Sequence, residues 1–245
     1  MIYIIDNIKL LYGDSNLLIK DIKDNSIDLI IIDPPYLLNM DGGKKGKSRF
    51  AKTLLSLEKE LTDADLIDNY DLSILNEFIR IQDKVNIYIW CNLAQIRQYL
   101  DFFIGEHNCS YEIIIWNKTN AMPLFNNKYL NDKEYCLYFR KRGYCNPTNY
   151  KLAKTVYYLP TTQKEKRLYK HPTIKPLEII ESLVLNSSCE NETILDCFMG
   201  SGTTGVAVIN AGGNRKFIGI EKNKDYFLTA KKRIEDTLKD KEDKL

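Results

Sequence analysis

Apolar, β-branched residues recur along the chain in short runs, at residues 8–12, 27–32, 85–90, 113–116, 134–139, 193–195 and 216–220. Several are apolar throughout, as strands buried on both faces must be. Between many of them the spacing turns helical. Leu72, Leu75, Phe78, Ile79 and Gln82 share one helix face, and Leu93, Ile96, Leu100 and Phe103 share another. Ile179, Ile180, Leu183 and Val184 follow Pro176, whose fixed φ suits a first helical turn. Residues 206–211 form an apolar helix. A last helix starts near Asn223 and runs through Phe227, Ala230, Ile234 and Leu238. This alternation predicts an α/β fold with a doubly wound, mostly parallel sheet. The 245 residues read as one domain without internal repeats. Two stretches break the rhythm. Residues 37–62, with Gly42, Gly43 and Gly46, are expected to form a mobile loop, and residues 141–170 an irregular insert. The charged tail, 239–245, is expected to fray.

Composition narrows the class. No apolar run reaches the roughly 18 residues of a membrane span. The N-terminal stretch has no basic leader and is interrupted by Asp6, so no signal peptide is expected. The six cysteines form no CxxC pair and there are two histidines, which argues against a zinc site. Scattered cysteines suit a reducing cytoplasm. Net charge is only +2, but its distribution is uneven. Residues 41–59 carry +4 and include Lys44, Lys45, Lys47 and Arg49, while residues 139–170 carry +8 and include Lys151, Lys154, Lys164, Lys166 and Arg167. Tyr144, Tyr150, Tyr157, Tyr158 and Tyr169 are interleaved with the second set. Such a distribution is a footprint for phosphates and stacked bases. Two solvated loops are the competing reading.

Two turns carry candidate chemistry. Residues 194–196 end a strand in Asp196, and Cys197-Phe198-Met199-Gly200-Ser201-Gly202-Thr203-Thr204-Gly205 leads into a helix. The glycines satisfy G-x-G-x-x-G. The next strand ends in Glu221, where a ribose-binding acid belongs. Small residues let a ligand approach backbone amides at a helix N-terminus. The pattern points to an adenosine-containing ligand and leaves NAD, FAD and S-adenosylmethionine open. The unit begins near residue 193 and only about 50 residues remain, so earlier strands must complete the sheet around it. The order of the nucleotide-binding unit is therefore permuted.

The second turn is Asp33-Pro34-Pro35-Tyr36, at the end of the strand at 27–32. Two prolines stop the strand and stiffen the turn. Ligands of open α/β sheets bind beyond the carboxyl ends of the strands. An exocyclic base amine is a poor nucleophile because its lone pair is conjugated into the ring. Hydrogen bonds from its two hydrogens to Asp33 and the Pro34 carbonyl favour a pyramidal nitrogen with a free lone pair. Tyr36 suits stacking on a base extruded from the duplex.

With both turns in view, the sequence resembles the DNA amino-methyltransferases. That family carries a D/N/S-PP-Y/F catalytic motif and an F-x-G-x-G cofactor motif, here Phe198 to Gly202. The catalytic motif comes first, as in the β group. The resemblance covers nearly the whole chain and implies a permuted methyltransferase fold, S-adenosylmethionine as cofactor and double-stranded DNA as substrate. It implies that Asp14 contacts the cofactor adenine, with helix capping as an alternative or additional role. It places Thr173 and Lys175 of His171–Pro176 beside the methionine part, with Lys175 pairing its carboxylate. Asp196 faces the methionine amino group, and Ser201 and Thr203 belong to the cofactor loop. The aspartate-first motif favours adenine N6 over cytosine N4, and RNA adenine is a weaker option. Cys197 stands where proline is common in the family. Residues 141–170 would be a short target-recognition region. A homodimer and a cognate restriction endonuclease are left open as partners. An NAD-linked oxidoreductase would leave the Asp-Pro-Pro-Tyr turn and the basic segments unexplained. A non-catalytic DNA-binding module would have no use for two intact motifs.

Overall fold

The computed structural model of the chain describes residues 1–36, 70–123, 127 and 129–243. The loop expected at 37–62, with Lys44, Lys45, Lys47 and Arg49, lies outside the described residues. In chain order the elements are β1 (Ile2–Ile5), β2 (Ile8–Tyr12), α1 (Ser15–Leu18), β3 (Leu29–Ile32), α2 (Ile74–Arg80), β4 (Val85–Cys91), α3 (Ile96–Leu100), β5 (Ser110–Lys118), β6 (Lys133–Lys141), β7 (Val156–Leu159), α4 (Gln163–Tyr169), α5 (Leu177–Ser187), β8 (Thr193–Asp196), α6 (Thr203–Ala211), β9 (Lys216–Glu221) and α7 (Lys224–Glu242). The described strands form one sheet in the order β1-β2-β9-β8-β3-β4-β6-β5-β7. Within it β1 and β6 run against the rest.

The apolar strand runs are buried because helices cover both faces. In β3, Leu29 and Ile31 pack with α5, α6 and α7, whereas Ile30 and Ile32 pack with α2 and α3. Each such side chain contributes about 1.5–3 kcal/mol by leaving water. α7 is capped by Asn223, whose side chain accepts from the amides of Asp225 and Tyr226 at 2.9 and 3.2 Å. Pro176 stands just before α5 as its N-cap, one position earlier than a first-turn proline.

One strand was not expected and two local expectations are corrected. β1 shows no buried run, because Ile2 and Ile4 face outward from an edge strand. Its hairpin turns at Asp6, whose φ of 46° an aspartate tolerates. Residues 141–170 are not irregular throughout. β7 pairs in parallel with β5 at the sheet edge, and α4 follows it. Nor does helix end at 239, since α7 runs to Glu242. Lys239 and Lys241 suit the negative end of that helix, and the Lys241 ammonium donates to the Ile209 carbonyl. Among the described residues no helix is long and apolar enough to cross a membrane.

Candidate active site

Strands β3 and β8 are parallel neighbours, with Leu29 opposite Ile194 and Ile30 opposite Leu195. Both therefore deliver their terminal acids, Asp33 and Asp196, to the same sheet edge. A cavity of about 290 Å³ opens there. Of the residues expected at the cofactor, Asp14, Thr173, Lys175, Asp196, Phe198, Gly200, Ser201, Thr203 and Glu221 line it, together with Asp33 and Pro35. Gly202 does a different job. Its φ is 80°, and a Cβ there would meet Ala230 of α7 at 3.0 Å.

The glycine loop is built around its two acids. Glu221 accepts from the Gly200 amide at 2.9 Å and from the Asn223 amide at 2.7 Å. Asp196 accepts from the Phe198 amide at 3.0 Å and the Thr204 hydroxyl at 2.6 Å. Burial nevertheless pushes the Asp196 carboxyl up to about 7. Asp14 caps α1 by accepting from the Asn16 amide at 2.8 Å, and also lines the cavity, so both of its expected roles are compatible with its position. Arg233 braces the loop from α7, donating to the Ser201 carbonyl at 3.2 Å and the Thr203 hydroxyl at 3.0 Å. Cys197 is fully buried, and burial drives its thiol well above the ordinary range, so it is not a reactive thiol.

His171 is a residue that motif reading passed over. Its Nδ1 accepts from the Thr173 amide at 3.3 Å. Burial drops its pKa to about 4, so the ring is neutral and carries its proton on Nε2. That Nε2 is buried without a hydrogen-bond partner among the described residues, against Gly200, where a Cβ would approach it to 2.8 Å. An unpartnered donor, two acids and a glycine-made space on one cavity wall fit a ligand bearing ribose hydroxyls and an amino-acid end.

The Asp-Pro-Pro-Tyr turn is fastened from three sides. The Tyr36 hydroxyl donates to Asp33 Oδ1 at 2.9 Å. Gln95, fully buried, donates to the Pro35 carbonyl at 3.0 Å, and Gln95 and Asn92 exchange side-chain-to-backbone bonds of 3.3 and 3.2 Å. Pro34 is buried within the turn. The third fastening is an ion pair. Lys175, which also lines the cavity, pairs with Asp33 Oδ2 and lies 3.3 Å from Glu134 Oε2. Glu134 in turn pairs with Lys118 at 2.7 Å. Burial raises the Asp33 carboxyl against the pull of Lys175. Burial also pushes Glu134 up, but its two lysines outweigh that and hold it at about 2. Glu134, Lys118 and Gln95 were not visible as site residues in the sequence. The trace that existed was a carboxylate heading an apolar strand.

The basic residues of 141–170 divide. Lys164 and Arg167 are exposed on α4, with Lys166 half-buried between them. Lys154 is exposed and lies over the Tyr150 ring, and Lys151 pairs with Glu178 at 2.9 Å. Tyr157 is core rather than a stacking surface, because β7 turns it inward. Tyr169 lies under the Arg233 guanidinium at 4.2 Å. Tyr150 and Tyr158 are exposed.

Known proteins match this arrangement. The profile of the DNA methylase family (N6_N4_Mtase) matches residues 27–232. The type II methyltransferase M2.LlaDCHI of Lactococcus lactis subsp. cremoris is 33% identical over 94% of this chain and 90% of its own. The type II methyltransferase M2.DpnII of Streptococcus pneumoniae is 32% identical over 92% and 89%. The structure of the M1.HpyAVI–SAM complex superposes with a TM-score of 0.62 at 30% identity, covering 93% of this chain and 98% of that one. The cytosine-N4-specific PvuII DNA methyltransferase shares the fold, with a TM-score of 0.65 at 16% identity over 94% and 91% of the two chains. With residues 27–232 matched and both turns on one cavity, the chain belongs to the DNA methylase family, the amino-methyltransferases of the N6/N4 group.

Proposed function

We propose that the chain methylates the N6 amine of adenine in double-stranded DNA, with S-adenosylmethionine as donor and the target base turned out of the duplex. The observation that carries the reading is the placement of Asp33 and the glycine loop on one cavity, at the ends of paired strands β3 and β8. The donor supplies a sulfonium-bound methyl; the amine lone pair forms the new C–N bond while the C–S electron pair stays on sulfur. Asp33 and the Pro34 carbonyl hold the two amine hydrogens, which frees that lone pair. Asp33 then takes the proton that the nitrogen sheds. Tyr36 offers a ring to the extruded base and orients Asp33 through its hydroxyl. On the cofactor side, Glu221 serves the ribose, Asp14 the adenine, and Asp196 with Thr173 the methionine end. Phe198, Gly200, Ser201 and Thr203 shape the wall. The aspartate-first motif supports adenine over cytosine.

The exposed Lys164 and Arg167, with Lys154 and Lys166, suit phosphate contacts, and Lys44, Lys45, Lys47 and Arg49 extend the basic set. Lys151 belongs to the set once DNA competes with Glu178. The type II designation of the relatives supports a cognate restriction endonuclease.

The test is transfer of labelled methyl to unmethylated genomic DNA, followed by nucleoside analysis, with Asp33→Ala alongside. N6-methyladenine from the wild type and a loss of at least about 1,000-fold in the variant is the expected result. N4-methylcytosine would keep the chemistry and overturn the choice of base.

A further inference from the structure

Both oxygens of the Asp33 carboxylate are already engaged. Oδ1 accepts from Tyr36, and Oδ2 is paired with the Lys175 ammonium. A base amine that donates to Asp33 must share an oxygen with one of these partners or displace it. Tyr36 sits in the same stiff turn and moves with Asp33. Lys175 belongs to a different segment, just before α5, and is the partner that can be exchanged.

The surroundings give that ammonium another place to go. Glu134 Oε2 lies 3.3 Å from Lys175 Nζ, yet this buried oxygen accepts no aligned hydrogen bond from a described group. Its other oxygen is anchored by Lys118 at 2.7 Å. The Lys175 ammonium also faces the rings of Tyr36 and Trp90, at 5.4 and 5.1 Å from their centroids. The side chain of Lys175 is 6% exposed. An ammonium so deep could not leave Asp33 for water cheaply, but a move to Glu134 keeps it paired throughout. The row Lys118, Glu134, Lys175, Asp33 alternates in sign and sums to zero, so the move creates no uncompensated buried charge.

The fold explains why this carboxylate is available. β6 runs against its neighbours, so its first residues, not its last, lie at the carboxyl edge of the parallel strands. Trp116 of β5 stands opposite Glu134, two residues before Lys118, and Trp90 of β4 stands opposite Cys136.

We propose that Glu134 is a positioning residue for methyl transfer: it receives the Lys175 ammonium when the target amine takes Asp33 Oδ2, and so keeps Asp33 an oriented acceptor. No proton changes hands in the exchange; one hydrogen bond of Asp33 is replaced by another, and Glu134 gains the one that Lys175 gives up. Without the Glu134 charge, Lys175 stays on Asp33 and competes with the substrate.

The inference rests on amine methylation at the Asp33 turn. Its test is the single-turnover rate of methyl transfer in the full chain, wild type against Glu134→Gln, with the dissociation constant for S-adenosylmethionine and the melting temperature measured on the same samples. The rate is expected to fall about tenfold or more while cofactor affinity stays within about threefold, and Glu134→Asp, which keeps the charge, to recover part of the loss. A merely structural residue would move affinity and melting with the rate. If Glu134→Gln does not fold, Glu134→Asp, whose shorter side chain draws the carboxylate away from Lys175, reads the same step, with an expected fall of about threefold or more at unchanged cofactor affinity. Active wild type with an equally fast Glu134→Gln, or with an equally fast Glu134→Asp where that variant is the one read, overturns the inference alone. A wild type that methylates no base overturns the underlying reading and the inference with it.

Discussion

The cofactor side of the sheet, β2-β9-β8, and the wing β6-β5-β7 contribute to the site by opposite means. On the cofactor side, a strand ends, a glycine loop turns and a helix begins within consecutive residues. The contacts are short-range or bridge adjacent strands, as in Glu221 holding the Gly200 amide. The wing offers no consecutive motif. Its contribution, Glu134 on β6 and Lys118 on β5, reaches the site because a strand is reversed. A contiguous motif is visible in one dimension, whereas a site assembled by strand direction needs the tertiary structure.

The largest effect that tests this contrast is on stability. If the wing is part of the one core, a cavity in β6 should weaken the whole domain. Phe139 is fully buried and stacks on Phe103 at 4.5 Å. Phe139→Ala is expected to cost about 3–5 kcal/mol. Denaturant unfolding followed by both circular dichroism and cofactor binding should show one transition, shifted as a unit. Two separated transitions, with cofactor binding surviving to the wild-type midpoint, would make the wing a separate unit and undo the comparison.

A smaller effect belongs to the cofactor side. His171 packs on the Tyr226 ring at 4.3 Å, and Lys175, Lys166 and Arg233 lie on its other sides. Its pKa of about 4 in the folded chain is below the ordinary value of 6.5. The unfolded chain therefore binds the proton more tightly. Stability is complete above pH 6.5, is lost as pH falls, and levels off below 4, with a full loss of about 3 kcal/mol from this group. In His171→Gln that loss should be absent. Subtracting the two stability–pH curves isolates it, and parallel curves between pH 6.5 and 4 would refute the assignment.

These tests bear on how far the sequence could be read. The seven apolar runs became strands with ends shifted by a few residues, because runs buried on both faces have few other solutions. The two turns met because their strands pair. β1 escaped because Ile2 and Ile4 alternate outward at an edge. β7 escaped because its four residues sit in a basic stretch that reads as loop. Lys175 was assigned by its neighbours in sequence, whereas its partners, Asp33 and Glu134, are brought to it by strands distant in the chain. Gln95 and His171 belong to the same class. Each is polar, buried and meaningful only through the backbone or cavity it faces.

The smallest effect is a proton count. Asp196, raised to about 7 mainly by burial, is partly protonated near neutral pH in the free chain. If its partner is the cofactor's ammonium, binding favours the carboxylate and expels that proton. Calorimetric titration with S-adenosylmethionine at pH 7, in two buffers of different ionisation enthalpy, is expected to register release of a fraction of a proton. The release should shrink towards zero as pH rises past 8, where the group is already ionised, and should vanish in Asp196→Asn. Identical heats in both buffers at pH 7, or equal release from the variant, would move the methionine amino group to another partner. The glycine loop would then hold its ligand through backbone and ribose contacts alone, and this acid would be left as a brace for Phe198 and Thr204.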